Sequence, residues 1–268
     1  MNSANRLPTL FIPHGGGPCF SMDPPPQHPH MWDGLAAFLR GIDAALAVRP
    51  KAVLVVSGHW EAPVPTLNTA ERPALLFDYY GFPEHTYRLK YPVAGAPHVA
   101  PRVRELLSDA GFQSAEDAKR GLDHGVFVPF MLIYPRADVP ILQLSLQNSL
   151  DPEVHLRMGQ GLAPLREQGV LIVGSGMSYH NLAAMFSGGG AEASVAFDTW
   201  LNDAIKYPAT RSEKLTVWRN APGGRESHPR EEHLIPLMVA AGAADGDTGV
   251  RTFSESLAGK AVSGFQFG

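Results

Sequence analysis

The feature that most narrows what this chain can fold into is a pattern used three times: a short apolar run, a backbone breaker, then histidine. Lys51-Ala-Val-Leu-Val-Val-Ser-Gly-His59-Trp-Glu61 shows it most fully. Val53 to Val56 is continuous, apolar and rich in β-branched side chains. Such a run fits a strand buried on both faces, as in a parallel sheet covered by helices. Ser57-Gly58 is expected to end it in a sharp turn and deliver His59 to the carboxyl end of the strand, where open α/β sheets place their ligands. Thr9-Leu-Phe-Ile12 followed by Pro13-His14-Gly15-Gly16-Gly17-Pro18 repeats the logic. Gly169-Val-Leu-Ile-Val-Gly174 repeats it again, with His180 several residues further on.

Between these runs the chain alternates with helical patterns. Residues 34–47 carry apolar side chains at helical spacing and link the first two strands as a βαβ unit. Residues 98–110 form a second helix, ended by Gly111. Val139 to Ser145 alternates like a strand. Asp151 caps a helix running to Gln168, with Pro152 at its first position. Residues 194–204 are helical, and His233 opens an apolar helix, Leu234 to Ala241, with Glu231 and Glu232 in its first turn. From Ala62 to Pro97 no period is sustained, and Phe77-Asp-Tyr-Tyr-Gly-Phe-Pro83 lies in this loop. Long loops of this kind cap active sites, and their aromatics can line a pocket for a planar ligand. The expected fold is α/β: a single domain over residues 1–268 with a central mixed or mostly parallel sheet flanked by helices.

Composition mainly excludes. The net charge is −4 with histidine neutral. No basic stripe interleaves with aromatics, so nucleic acid is not an expected partner. No apolar run approaches the ~18 residues of a bilayer span, so no membrane partner is expected. The start, Met1-Asn-Ser-Ala-Asn-Arg6, lacks an apolar signal core. The single cysteine, Cys19, excludes an internal disulfide framework and a Cys-rich zinc site. A reducing cytoplasmic location is expected, as monomer or homo-oligomer.

The eleven histidines are the unusual count. Three follow buried strands, and a fourth, His233, sits in an acid-rich helix start. Strand ends meet along one rim of a sheet, so these side chains can converge. Imidazoles with a carboxylate suit Fe(II), Zn(II) or a similar ion better than Ca or Mg. Few protein ligands with open positions make a catalytic rather than a structural site. Asp123-His124 between Gly121 and Gly125 is a candidate acid/base pair in a tight turn. Candidate substrate contacts are Gly16 beside His14, Tyr80 in the aromatic loop and His228 ahead of the glutamates.

The stretches Leu10-Phe-Ile-Pro-His14-Gly, Val55-Val-Ser-Gly-His59-Trp, Tyr80-Gly-Phe-Pro83, Tyr91-Pro92, Gly121-Leu-Asp-His124-Gly, Pro140-Ile-Leu-Gln-Leu-Ser145, Gly174-Ser-Gly-Met-Ser-Tyr-His180-Asn-Leu and Glu232-His233-Leu-Ile-Pro-Leu together resemble the class III extradiol ring-cleavage dioxygenases. This is the LigB-type superfamily, and the likeness is nearest to its 4,5-DOPA dioxygenase branch. The resemblance implies a LigB-like fold and a non-haem Fe(II) site, with Zn(II) as the other ion this branch can hold. It places His14, His59 and His233 at metal positions and His180 as a further ligand or the catalytic acid/base. It places His124 near the substrate as a second catalytic candidate. The implied reaction opens the ring of a small aromatic diol, a DOPA-like catechol or a relative, with O2. One departure stands out: the family commonly has Gly-Ser-Pro after the first histidine, where this chain has Gly15-Gly16-Gly17-Pro18, so a hydroxyl beside the metal is missing. The same histidines also suit a zinc-dependent hydrolase or a non-catalytic LigB-like binding protein.

Overall fold

The computed structural model describes residues 6–268, apart from the side chain of Phe186. The expectation about the start of the chain concerns residues mostly outside this range. Eight segments are extended: β1 (Thr9–Pro13), β2 (Ala52–Ala62), β3 (Thr66–Asn68), β4 (Ala115–Asp117), β5 (Ile141–Gln147), β6 (Val170–Gly176), β7 (Gly249–Leu257) and β8 (Lys260–Phe267). They form one mixed sheet in the order β4-β3-β5-β2-β6-β1-β8-β7. The middle strands β5, β2, β6 and β1 are mutually parallel. The margins turn antiparallel, β3 against β5 and β8 against β1 and β7.

The apolar runs of the middle strands follow from burial on both faces. Leu54 and Val56 of β2 point into one core; Val53 and Val55 point into another. The first core is closed by α2 (Ala100–Asp109), α4 (Pro152–Leu162), α6 (Ala191–Lys206), α7 (Pro208–Thr216) and α9 (Ile235–Ala243), and the second by α1 (Asp33–Ala45) and α3 (His124–Ile133). Two short helices, α5 (Leu182–Ser187) and α8 (Gly224–Ser227), lie in the connections around them. Helix α9 is buried over its whole length. Truncating a side chain such as its Leu237 to alanine would cost about 2–5 kcal/mol. The last carbonyls of α9 accept from buried arginines: Arg166 Nη1 reaches Ala243 and Ala244 at 3.0 and 3.1 Å, and Arg211 Nη1 reaches Ala241 at 3.3 Å. No described helix is long and apolar enough to cross a membrane.

Several expectations change in detail. The α/β arrangement with a mixed sheet is as expected, but β6 lies between β1 and β2, so the first βαβ unit is split. Strand β2 does not turn at Ser57-Gly58; it continues to Ala62. Its pairing with β6 ends at Ser57, and its pairing with β5 shifts register between Val56 and Glu61. His59 therefore sits in a bulge, a device that re-aims a side chain. His124 is the first residue of α3, not part of a tight turn. Glu232 and His233 lie in the turn before α9. The C-terminal hairpin β7–β8 has no counterpart in the sequence-based expectation. It turns at Ala258-Gly259, both at positive φ of 48° and 79°, the backbone that a two-residue hairpin loop of matching twist requires.

Candidate metal centre

Strand β6 ends in Gly174-Ser175-Gly176, and the site is built over this end. On either side of β6, β1 ends at Pro13 and hands on to His14, whose N–H donates to the Gly176 carbonyl at 3.1 Å, and bulged β2 carries His59. The third segment, Glu232-His233, is laid across the glycines. Met177 N–H donates to the His233 carbonyl at 2.9 Å. A Cβ on Gly176 would stand 2.1 Å from the His233 oxygen, and one on Gly58 would stand 2.9 Å from the Glu232 oxygen. Only glycine permits this approach.

Three imidazoles converge there. His14, His59 and His233 each offer a ring nitrogen, all within 4.8 Å of one another. The His59 and His233 Nε2 atoms are 3.1 Å apart. His233 Nδ1 faces Glu232 Oε1 at 3.0 Å, and His59 Nδ1 faces Asp78 Oδ2 at 3.5 Å. With the Nδ1 protons on the carboxylate side, the two Nε2 lone pairs would confront each other, and a cation between them would relieve that repulsion. His14 is 1% exposed and neither of its ring nitrogens has a hydrogen-bond partner. Buried polar atoms are rarely left so. Burial, then the neighbouring imidazoles, holds His14 and His233 well below the usual histidine range, and burial with His124 pushes His59 down to about 3. All three are neutral donors at pH 7, the form a metal requires. The donor set fits a divalent transition ion.

Two further histidines flank the three. His180 stacks on His233 with centroids 3.4 Å apart, and its Nδ1 lies 3.2 Å from the same Glu232 oxygen. His124 packs against His59 with centroids 3.9 Å apart, and its Nδ1 donates to Asp78 Oδ1 at 2.8 Å. Burial alone would push Asp78 and Glu232 up; the histidine hydrogen bonds and nearby positive charge leave both below the usual carboxylate range. Each carboxylate thus faces one converging imidazole and one flanking imidazole, the outer contact that orients ligands in metal sites. Neither acid was marked as a site residue by the sequence. Their only signal was position: Asp78 is the single acid in the aromatic stretch, and Glu232 adjoins His233.

The bulge at His59 is held at both ends. Its N–H donates to Ser57 Oγ at 3.2 Å, and its carbonyl accepts from Arg120 Nη2 at 3.2 Å. Ser57 Oγ donates in turn to the fully buried Asp123 at 2.7 Å, which also accepts from Gln143 at 2.5 Å and Arg120 at 3.2 Å. Burial, then the nearby Asp78, pushes the Asp123 carboxyl up. Asp123 therefore works beneath the site, not beside His124 as an acid/base partner.

The candidate substrate contacts are not gathered at the centre. Tyr80 is 91% exposed. It is Tyr79, anchored through its hydroxyl to the Thr86 carbonyl at 2.7 Å, whose ring lies 5.7 Å from His124. His228 is wholly buried, packed by Phe197 and Trp218, with Nε2 against the Ser178 carbonyl at 2.9 Å. Gly16 is exposed in the loop after His14, and a Cβ there would meet only Trp32 at 3.6 Å.

Residues 8–266 match the family described as the catalytic LigB subunit of aromatic ring-opening dioxygenase. The chain is similar to a 4,5-DOPA dioxygenase extradiol of Beta vulgaris, 40% identical over 90% of this chain and 88% of that protein. A protein of the same description from Escherichia coli K12 is 32% identical over 91% and 88%. The dioxygenase tasH of Hapsidospora irregularis is 37% identical over 97% and 85%. Among solved structures, that of an uncharacterized protein, JW3007, from Escherichia coli K12 superposes with a TM-score of 0.76 at 28% identity, covering 98% of this chain and all of that one.

Proposed function

The chain belongs to the LigB family of aromatic ring-opening dioxygenases and is an extradiol ring-cleaving enzyme, and from that premise we propose that it opens a catechol, DOPA-like or a related vicinal diol, at a divalent ion held by His14, His59 and His233. Fe(II) is the ion of the active form in this proposal, and Zn(II) is the alternative. The supporting observation is the three buried neutral imidazoles from separate segments with their ring nitrogens within 4.8 Å. When bound, iron(II) supplies the Lewis acidity that acidifies a diol hydroxyl and the electrons that activate dioxygen.

The chain's own residues do the rest. A diol seated over the three histidines meets His124 on the His59 side and His180 on the His233 side. Each has its Nδ1 turned to a carboxylate, which leaves Nε2 to accept a proton. A neutral imidazole with one bare ring nitrogen is suited to take up and return a proton in general acid–base work. In this proposal His124 takes the hydroxyl proton, and His180 holds or returns one during ring opening. Phe77, Tyr79, Phe82 and Tyr87 form a connected aromatic cluster beside His124 and exclude water from the ring's surroundings. The comparisons favour neither a hydrolase nor a non-catalytic binding protein.

Anaerobic reconstitution with Fe(II), followed by a panel of catechols in air, tests this. The expected result is stoichiometric oxygen uptake and a yellow ring-opened product. Iron-loaded protein that consumes no oxygen with any vicinal diol would refute the substrate class. His59→Ala should lose bound metal, and retention of full iron content would refute the ligand assignment.

A further inference from the structure

We infer that Asp78 is a positioning residue for ring opening, acting through His124. The segment carrying it is fixed beside α3 by backbone pairing: Leu76 N–H donates to the Leu122 carbonyl at 2.7 Å and Leu122 N–H to the Ala74 carbonyl at 2.8 Å. Asp78 N–H then closes on the Leu76 carbonyl at 3.0 Å, which sets where its side chain starts. One oxygen, Oδ1, accepts twice from a single residue, from His124 N–H at 2.9 Å and from His124 Nδ1 at 2.8 Å.

The first of these bonds has a structural cause. His124 opens α3, so its N–H has no partner within the helix. The residue ahead of it, Asp123, cannot serve it: a capping side chain accepts from the second or third helical N–H, and that of Asp123 makes no cap and is committed to Ser57, Gln143 and Arg120. Asp78 supplies the missing acceptor from outside the helix. The second bond uses the same oxygen to select a tautomer, with the proton on Nδ1 and Nε2 bare. Two bonds from one oxygen to the backbone and ring of one residue leave little freedom in the side-chain torsions. The other oxygen, Oδ2, lies 3.5 Å from His59 Nδ1, so the same carboxylate sets the flanking ring against a metal-ligand ring.

This rests on His124 being the proton acceptor, and a double-mutant cycle separates the two ideas. Asp78→Ala should lower kcat by about 10–100-fold, the usual effect of removing an outer partner of a site histidine. KM should move by less than about threefold when the metal is kept saturating. In a His124→Ala background, removing Asp78 should cost nothing further. Asp78→Asn keeps an acceptor oxygen in the same place and should recover part of the rate. Nitrogen-15 spectra of histidine-labelled, metal-free protein give a readout independent of turnover: the His124 ring should carry its proton on Nδ1 in the parent and lose that preference in Asp78→Ala. An unchanged tautomer, or an equal loss of rate with and without His124, would overturn the inference. If His124→Ala alone turns over at the parent rate, the proton-acceptor role falls, and the tautomer spectra still decide whether Asp78 sets the ring.

Discussion

Replacing Gly176 with alanine should dislodge His233 without changing the chemistry of any of the three converging imidazoles. The added Cβ would stand 2.1 Å from the His233 carbonyl oxygen and 3.1 Å from Phe11 Cε2. Real Cβ contacts do not fall below 3.0 Å, so the 233 backbone must retreat by about 0.9 Å, since the facing Phe11 ring allows the alanine no room to move the other way. That retreat stretches the 2.9 Å bond from Met177 N–H to the His233 carbonyl. Overpacking of this kind costs about 1–3 kcal/mol, and each kcal/mol lowers the melting temperature by about 2–4 °C in a chain of this size. A misplacement near 1 Å costs about 100-fold in rate. Metal stoichiometry after dialysis, a thermal melt and steady-state kinetics on the same preparation measure all three effects. Gly41→Ala is the control: nothing lies within 4 Å of a Cβ there, the residue is exposed in the interior of α1, and alanine should raise stability by about 0.5–1 kcal/mol. If Gly176→Ala keeps the parent's metal content and rate, the close passage of residue 233 over β6 is not what places His233.

Three other outcomes follow from the same structure. His155 is buried, with Nδ1 donating to the Asp151 carbonyl and Nε2 accepting from Gln147 N–H, and burial pushes it down to about 4. The unfolded chain binds that proton near 6.5, so unfolding takes up a proton between those values and stability falls as pH drops from about 6.5 towards 4, by at most ~1.4 kcal/mol per unit; urea denaturation at pH 7 and 5 should show a flatter loss in His155→Gln, and an identical slope would refute the assignment. Arg166→Met strips the Leu7, Ala243 and Ala244 carbonyls and Asp247 of a buried donor and should destabilise by about 3–5 kcal/mol, so a variant with the parent's urea midpoint would contradict the role given to Arg166. Gly16→Ser meets only Trp32, at 3.6 Å, so its melting temperature should match the parent's, and a drop beyond a few degrees would show that the loop after His14 is tighter than this contact implies.

What the sequence revealed and what it hid divide along a physical line. The parallel core strands were readable because burial on both faces writes an uninterrupted apolar run, and His14, His59 and His180 were readable because they follow such runs. Gly58 was misleading because glycine has two uses at a strand end. Read locally it turns the chain, but its work is to leave room for the Glu232 carbonyl, which a Cβ would approach to 2.9 Å, and nothing local distinguishes the two. Tyr79 and Tyr80 could not be told apart in a loop with no period; the bond from the Tyr79 hydroxyl to Thr86 turns one inward and leaves the other in solvent. His228, close to His233 in the chain, is buried against Phe197 and Trp218, side chains from separate elements. Asp78 meets a partner 46 residues away, so no spacing rule reaches it. The C-terminal hairpin escaped because β7 is an edge strand, buried only at every fourth residue, and so lacks the two-residue alternation that announces a half-buried strand. Of the proposed ligands, His14 and His59 were therefore legible from strand ends and His233 from an acid-rich helix start, whereas the groups that orient them depend on contacts between segments, and it is those segments that substitutions such as Gly176→Ala and Asp78→Ala interrogate.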